Sequence, residues 1–182
     1  MRKFLASLLE VLEIAVIAVL AVYIVRTFLV QPFLVSGTSM YPNFSNGDYV
    51  LVDELTYRFR APERGEVVVF HDPEDYSTYF IKRVIGLPGE KVVLHDSTVT
   101  VYNKAHPNGF SLDESYLPPG TNTAGDQTYV LSSSTYLMFG DNRPFSYDSR
   151  SWGPLPAKDI VGLVRLRLWP VNEITAFAAP KY

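Results

Sequence analysis

No cysteine occurs anywhere in the chain's 182 residues. That absence excludes disulfides, zinc–thiolate sites and a cysteine nucleophile together. It leaves an extracytoplasmic location open, because a core large enough needs no disulfide. An excess of one charge is also missing. The chain carries 16 basic and 19 acidic residues, mixed along its length, for a net charge of −3. Nothing forms the basic stripe of a nucleic-acid binder, so no nucleic-acid partner is expected. No G-x-S-x-G turn is present, and His71, His95 and His106 are the only histidines. His71 lies in the turn-like HDPED, and His95 and His106 flank a candidate hairpin, so none has the setting of a catalytic triad. His71 and Asp72 with Glu74 and Asp75 lack a recognisable ligand spacing, so neither a metal nor another cofactor is expected.

Apolar residues are plentiful, at 47% with 14% aromatic, which excludes global disorder. Their placement is uneven. Ile14 to Val25 reads IAVIAVLAVYIV, with the Tyr23 hydroxyl as its only polar side-chain group. At about 1.5 Å per residue the run alone falls short of a bilayer core of about 30 Å. Leu8, Leu9, Val11 and Leu12 lengthen it on one side, and Phe28, Leu29 and Val30 on the other. Glu10, Glu13 and Arg26 stand near its ends, where long side chains reach the interface. A cleaved leader would show a small-x-small site after the run, which RTFLVQPFLV lacks. A buried globular helix is rarely apolar on every face. A membrane-spanning signal anchor fits best. Arg2 and Lys3 precede it, and Arg26 is the only positive residue between it and Arg58. The positive-inside rule then puts the N-terminus in the cytoplasm. Residues 1–30 are read as cytoplasmic tip and transmembrane anchor in the plasma membrane, and 31–182 as an extracytoplasmic body, expected to be monomeric.

After Gln31 short β-prone runs alternate with turn formers. Asp48–Val52, Glu66–Phe70, Phe80–Ile85, Lys91–Leu94, Thr98–Tyr102, Tyr129–Leu131, Tyr136–Phe139 and Ile160–Leu168 read as strands. Asn46-Gly47, Arg64-Gly65, Leu87-Pro88-Gly89 and Pro118-Pro119-Gly120 separate them. No helix-period segment of convincing length follows the anchor. The expected fold is mainly β, an antiparallel sheet folded into a sandwich or barrel-like body. A polar, turn-rich stretch over about 103–128 reads as a loop-rich insertion, with Lys91–Tyr102 a hairpin at its base.

Two segments could carry hydrolytic chemistry. Ser36-Gly-Thr-Ser-Met-Tyr-Pro42 follows the anchor, with Gly37 able to pass close to another group and Pro42 fixing the exit. In Phe80–Gly89, strand alternation puts Lys82 on the face of Phe80 and Val84. An ammonium among apolar neighbours is costly, so its pKa falls and the neutral amine can act as a general base, as in serine–lysine variants of the triad. Equally, Lys82 could reach solvent and Ser39 could be an ordinary turn residue. The two segments alone leave both readings open.

Five blocks in order, SGTSMYPNF, GDYVLVDEL, RGEVVVF, YFIKRVIGLPGEKV and GDNRPFSYDSRSWGPL, resemble those of the type I signal peptidases. The likeness runs from about Phe33 to Trp169, broken by the insertion. It implies a membrane-bound serine endopeptidase that cuts signal peptides from exported preproteins after small residues at −3 and −1, with no cofactor. By position, Ser39 matches the nucleophile, Lys82 the general base, and Ser146 the serine that orients the lysine. Asp148 and Arg150 match a structural pair shaping the site, and Phe33, Val35 and Ile81 match residues lining the substrate pockets. Gly37 departs from members with a serine there that helps hold the oxyanion, so that stabilisation must come from backbone N–H groups, Ser39's included, or from Ser36 or Thr38 turned inward. Pro144, Phe145 and Phe80 are further departures. Asp141, Asn142 and Arg143 read as a turn held by its own hydrogen bonds.

Overall fold

The computed structural model describes residues 2–28 and 30–180, and within the first helix the side chains of residues 9–21 and 23. The expected charges Arg2, Lys3 and Arg26 therefore lie outside the described side chains, as do Leu8, Phe28, Leu29 and the last two residues. Helix α1 spans Arg2–Phe28. From Leu9 to Leu20, and at Tyr23, its described large apolar side chains are more than half exposed. Among the described residues no helix is long and apolar enough to cross a membrane. Val30, counted above with the apolar segment, instead opens strand β1 (Val30–Leu34).

The body is mainly β, with every strand pairing antiparallel. A curled eight-stranded sheet orders β1, β2 (Tyr49–Asp53), β11 (Ile160–Trp169), β3 (Val67–His71), β4 (Tyr79–Gly86), β9 (Thr135–Phe139) and β10 (Leu155–Pro156). Strand β12 (Thr175–Ala176) pairs with β11 as its eighth member. Pro32 lacks a donor, and β1 accommodates it as the outermost strand of this order. A second sheet orders β7 (Phe110–Ser111), β6 (Thr98–Tyr102), β5 (Lys91–His95) and β8 (Gln127–Val130). Asp96 and Ser97 both take positive φ between β5 and β6, as a two-residue hairpin turn requires. Helix α2 (Ser149–Trp152) is a single turn capped by Asp148.

Alternation along β4 builds three cores at once. Ile81 joins Val35, Met40, Phe44 and Val69 on one face. Farther along that face Ile85 packs with Leu137, Phe139 and the small sheet's Val92, Leu94 and Val101. Phe80 and Val84 pack the opposite face with Val68, Phe70 and Met138. Strands β1, β7, β10 and β12 are not marked by the sequence pattern, because two or five residues at a sheet margin carry little periodicity. The loop-rich insertion also packs onto the body. Leu112 and Thr123 are buried, and its polar groups reach the strand ends described next.

Candidate active site

The segment joining β1 to β2 is tied into a compact loop. The N–H of Val35 donates to Asp48 O at 2.8 Å and that of Gly47 to Val35 O at 2.9 Å. Gly37, at φ +97°, takes a conformation a side chain resists and donates its N–H to Asn46 Oδ1 at 2.9 Å. Met40 and Phe44, fully buried, plug the loop into the core. Ser39 is left facing a cleft of about 290 Å³, lined also by Phe33, Val35, Tyr79, Ile81, Lys82 and Phe145.

Lys82 enters this cleft from β4 and is only 3% exposed. Its Nζ lies 2.7 Å from Ser39 Oγ and 5.3 Å from the centre of the Phe80 ring. Burial pushes its pKa down to about 8, against the opposing pull of the Asp148 and Asp141 carboxylates. The structure thus brings together, from positions 43 residues apart, the hydroxyl and amine singled out in the sequence.

Ser146 lies beside the Ser39 loop. Its Oγ is buried without a hydrogen-bond partner among the described residues, and Lys82 Nζ bonds Ser39 alone. A β-carbon at Gly140 would overlap both this hydroxyl and the Ser39 carbonyl oxygen, so glycine there lets Ser146 and the Ser39 loop meet. Asp148 and Arg150 form an ion pair at 2.8 Å, and Asp148 also accepts the Gly140 N–H at 3.0 Å. Arg150 Nη2 donates to Arg143 O at 2.6 Å.

The 141–143 turn is held by far more than its own hydrogen bonds. Asp141 accepts from Arg83 Nε at 2.8 Å and Nη2 at 2.6 Å, and from Asn43 Nδ2 at 2.8 Å. Arg143, fully buried, donates to Thr123 Oγ1 at 2.6 Å, to Tyr116 OH at 3.0 Å and to the Glu114 carboxylate of the insertion. Alternation already aims Arg83 at the core face of β4, a signal that a carboxylate must meet it. Nothing in the sequence says which one. Asn142 donates through its backbone N–H to Ser39 O and through Nδ2 to Thr38 O, both at 3.0 Å.

The histidines sit elsewhere. His71 stacks on Tyr76 at 3.9 Å, His95 meets Asp126 at 3.1 Å, and His106 packs edge-on to Phe110 at 4.9 Å. A larger cavity, about 1160 Å³, is lined by Arg64, Glu66, Arg83, Tyr116 and residues 177–180. Among the described residues its lining has neither a serine nor a lysine, and Arg64 and Arg83 are already paired with Glu90 and Asp141. The smaller cleft is therefore the candidate active site despite its size.

The chain also has known relatives. The family model described as "Signal peptidase, peptidase S26" matches residues 8–169. A signal peptidase I of Leptolyngbya laminosa is 34% identical over 165 residues, covering 86% of this chain and 77% of that protein. A signal peptidase IB of Staphylococcus aureus strain Mu50 is 35% identical over 162 residues, covering 83% and 84%. The crystal structure of an Enterococcus faecalis V583 signal peptidase I superposes with a TM-score of 0.48 at 30% identity, covering 57% of this chain and 97% of that one. On the extent of the family match and the identity to these relatives, this chain belongs to the signal peptidases of peptidase family S26.

Proposed function

We propose that this chain is a membrane-bound serine endopeptidase that removes signal peptides from exported preproteins, with Ser39 as nucleophile and Lys82 as general base. The observation that carries the reading is the 2.7 Å contact between a buried amine and a cleft-facing hydroxyl. An amine with a pKa near 8 is partly neutral at physiological pH, which an ordinary lysine almost never is. Its lone pair takes the Ser39 Oγ proton as Oγ attacks the scissile carbonyl, and the carbonyl π pair moves onto oxygen. Among the described residues nothing accepts the Ser39 N–H, which leaves that donor for the oxyanion. On collapse the C–N bond breaks, Lys82 returns its proton to the leaving amine, and the acyl group stays on Oγ. Water then attacks the ester with Lys82 again taking a proton, releasing the carboxylate and restoring Ser39.

Ser146 orients the Lys82 amine in this reading. Its buried, unpartnered hydroxyl is supported there by the room Gly140 leaves. Asp148 and Arg150 hold the loop that carries it. Phe33, Val35 and Ile81 shape pockets for small residues at −1 and −3. One extra methylene in a tight pocket costs about 1–3 kcal/mol, so a bulky −1 residue blocks cleavage.

Helix α1 anchors the body in a lipid bilayer. Its described apolar side chains from Leu9 to Leu20 and at Tyr23 are exposed together, an arrangement lipid satisfies and water does not. Its 27 residues rise roughly 40 Å, and the sequence carries the apolar run past the described side chains through Ile24 and Val25, which supports the reading.

The test is cleavage of a model preprotein with alanine at −1 and −3 by the full chain in detergent. Wild type is expected to cut after the −1 alanine, while Ser39→Ala and Lys82→Arg are inactive. Guanidinium cannot deprotonate in this range, so near-normal cleavage by Lys82→Arg would refute the assigned base.

A further inference from the structure

Asn142 makes two contacts to the nucleophile's loop that the reaction described above does not use. Its Nδ2 donates to Thr38 O at 3.0 Å, an oxygen that also accepts the Tyr41 N–H at 3.1 Å. Its own N–H donates to Ser39 O at 3.0 Å. The Thr38 carbonyl and the Ser39 N–H belong to one peptide unit, which is trans. A trans peptide is planar, with C=O and N–H pointing in opposite directions. Two donors on Thr38 O therefore fix where the Ser39 N–H points, and Asn142 supplies one of them from across the site.

We propose that Asn142 is a positioning residue of the peptidase reaction, its carboxamide holding the Thr38–Ser39 peptide plane so that the Ser39 N–H meets the developing oxyanion. This rests on the assignment of Ser39 as nucleophile. Geometry and electronics act in the same direction. A hydrogen bond to a carbonyl polarises its peptide, which makes the N–H on the other side a better donor. An oxyanion donor works only when held close to where the negative charge forms, so loss of its tether costs transition-state stabilisation and not ground-state binding.

The flanking residues make the inference testable. Asp141 is gripped by Arg83 and Asn43, and Arg143 by Glu114 and Thr123, so the turn's backbone is held whatever side chain stands at 142. The Asn142 N–H contact to Ser39 O then survives substitution, and only the carboxamide contact is removed.

The experiment uses the full chain in detergent, as Asn142→Ala and as the near-isosteric Asn142→Asp, which has no side-chain donor when ionised. Three quantities are read: kcat and KM on the model preprotein, affinity for an alanine-ending peptide aldehyde, and affinity for the corresponding peptide alcohol. The aldehyde accepts Ser39 Oγ at its carbon, gives its π pair to oxygen and so needs the oxyanion donor, while the Oγ proton passes to Lys82. The alcohol forms no such adduct. Both variants are expected to lose kcat roughly 10- to 100-fold, with KM within about twofold. Aldehyde affinity is expected to fall by a similar factor, with alcohol affinity and melting temperature unchanged. Wild-type kcat in both variants overturns the inference, and so does a loss shared equally by aldehyde and alcohol or appearing mainly in KM. Ser39→Ala separates the two levels. Cleavage by Ser39→Ala defeats the nucleophile assignment itself, whereas an inactive Ser39→Ala beside fully active Asn142 variants defeats only the positioning role.

Discussion

Lys82 is pulled two ways: burial strips its ammonium of water, while Asp148 and Asp141 favour keeping the charge. Burial prevails, and pH dependence follows with a definite sign. Activity is expected to rise with pH through about 8 and to be untouched by replacing His71, His95 and His106 together. Stability follows the same group. Below about pH 8 folded and unfolded chains both hold the proton. Between there and the ordinary lysine value the unfolded chain holds a proton the fold has released, so the fold gains stability as pH rises. Relative to Lys82→Met, wild type should gain on the order of 3 kcal/mol across that window, read by denaturant titrations at a series of pH values. A flat difference would mean that Lys82 titrates like an exposed lysine. Gly140 is the other sensitive position. An added methyl meets Ser146 Oγ and Ser39 O, and overpacking typically costs about 1–3 kcal/mol. Because the displaced groups belong to the proposed machinery, Gly140→Ala should lose on the order of 100-fold in activity while remaining folded, measured by cleavage beside circular dichroism.

At the scale of elements, the site is an agreement among the β1–β2 loop, strand β4 and the segment after β9. Arg83 binds the last two together through Asp141, and Arg143 ties the same segment to the insertion. The polar stretch that reads as a loop-rich insertion thus braces the turn carrying Asn142. Arg143→Met should cost about 3 kcal/mol, because it leaves the half-buried Glu114 carboxylate and the buried Thr123 hydroxyl without their guanidinium partner. Adding Glu114→Gln to it should recover part of that loss in denaturant unfolding. Strict additivity of the two substitutions would mean that the pair is not coupled.

Across the whole molecule, a helix with exposed apolar side chains precedes the sheet's outermost strand, so the cleft beside β1 sits close in sequence to that helix. If the charges flanking α1 orient it as the positive-inside rule demands, the body lies outside the cytoplasm. In sealed vesicles of known sidedness, protease added to the extracytoplasmic face should digest residues 31–182, and protease on the cytoplasmic face should not. Digestion from the cytoplasmic side would reverse the topology.

Local physics makes much of this molecule legible in its sequence. Periodicity marks β2 to β6, β8, β9 and β11 within a residue or two, since alternation needs only near neighbours to declare itself. Lys82 stands out because a charge on an apolar face contradicts its own strand, and Ser39 because Gly37 and Pro42 shape the turn around it. Three features depend on the tertiary structure: Arg83 meeting Asp141 58 positions away, the insertion closing on Arg143, and Asn142 reaching Thr38 104 positions back. Long-range polar pairing is decided by which strands lie side by side. That order is set by burial summed over the whole sheet, which no window of sequence contains.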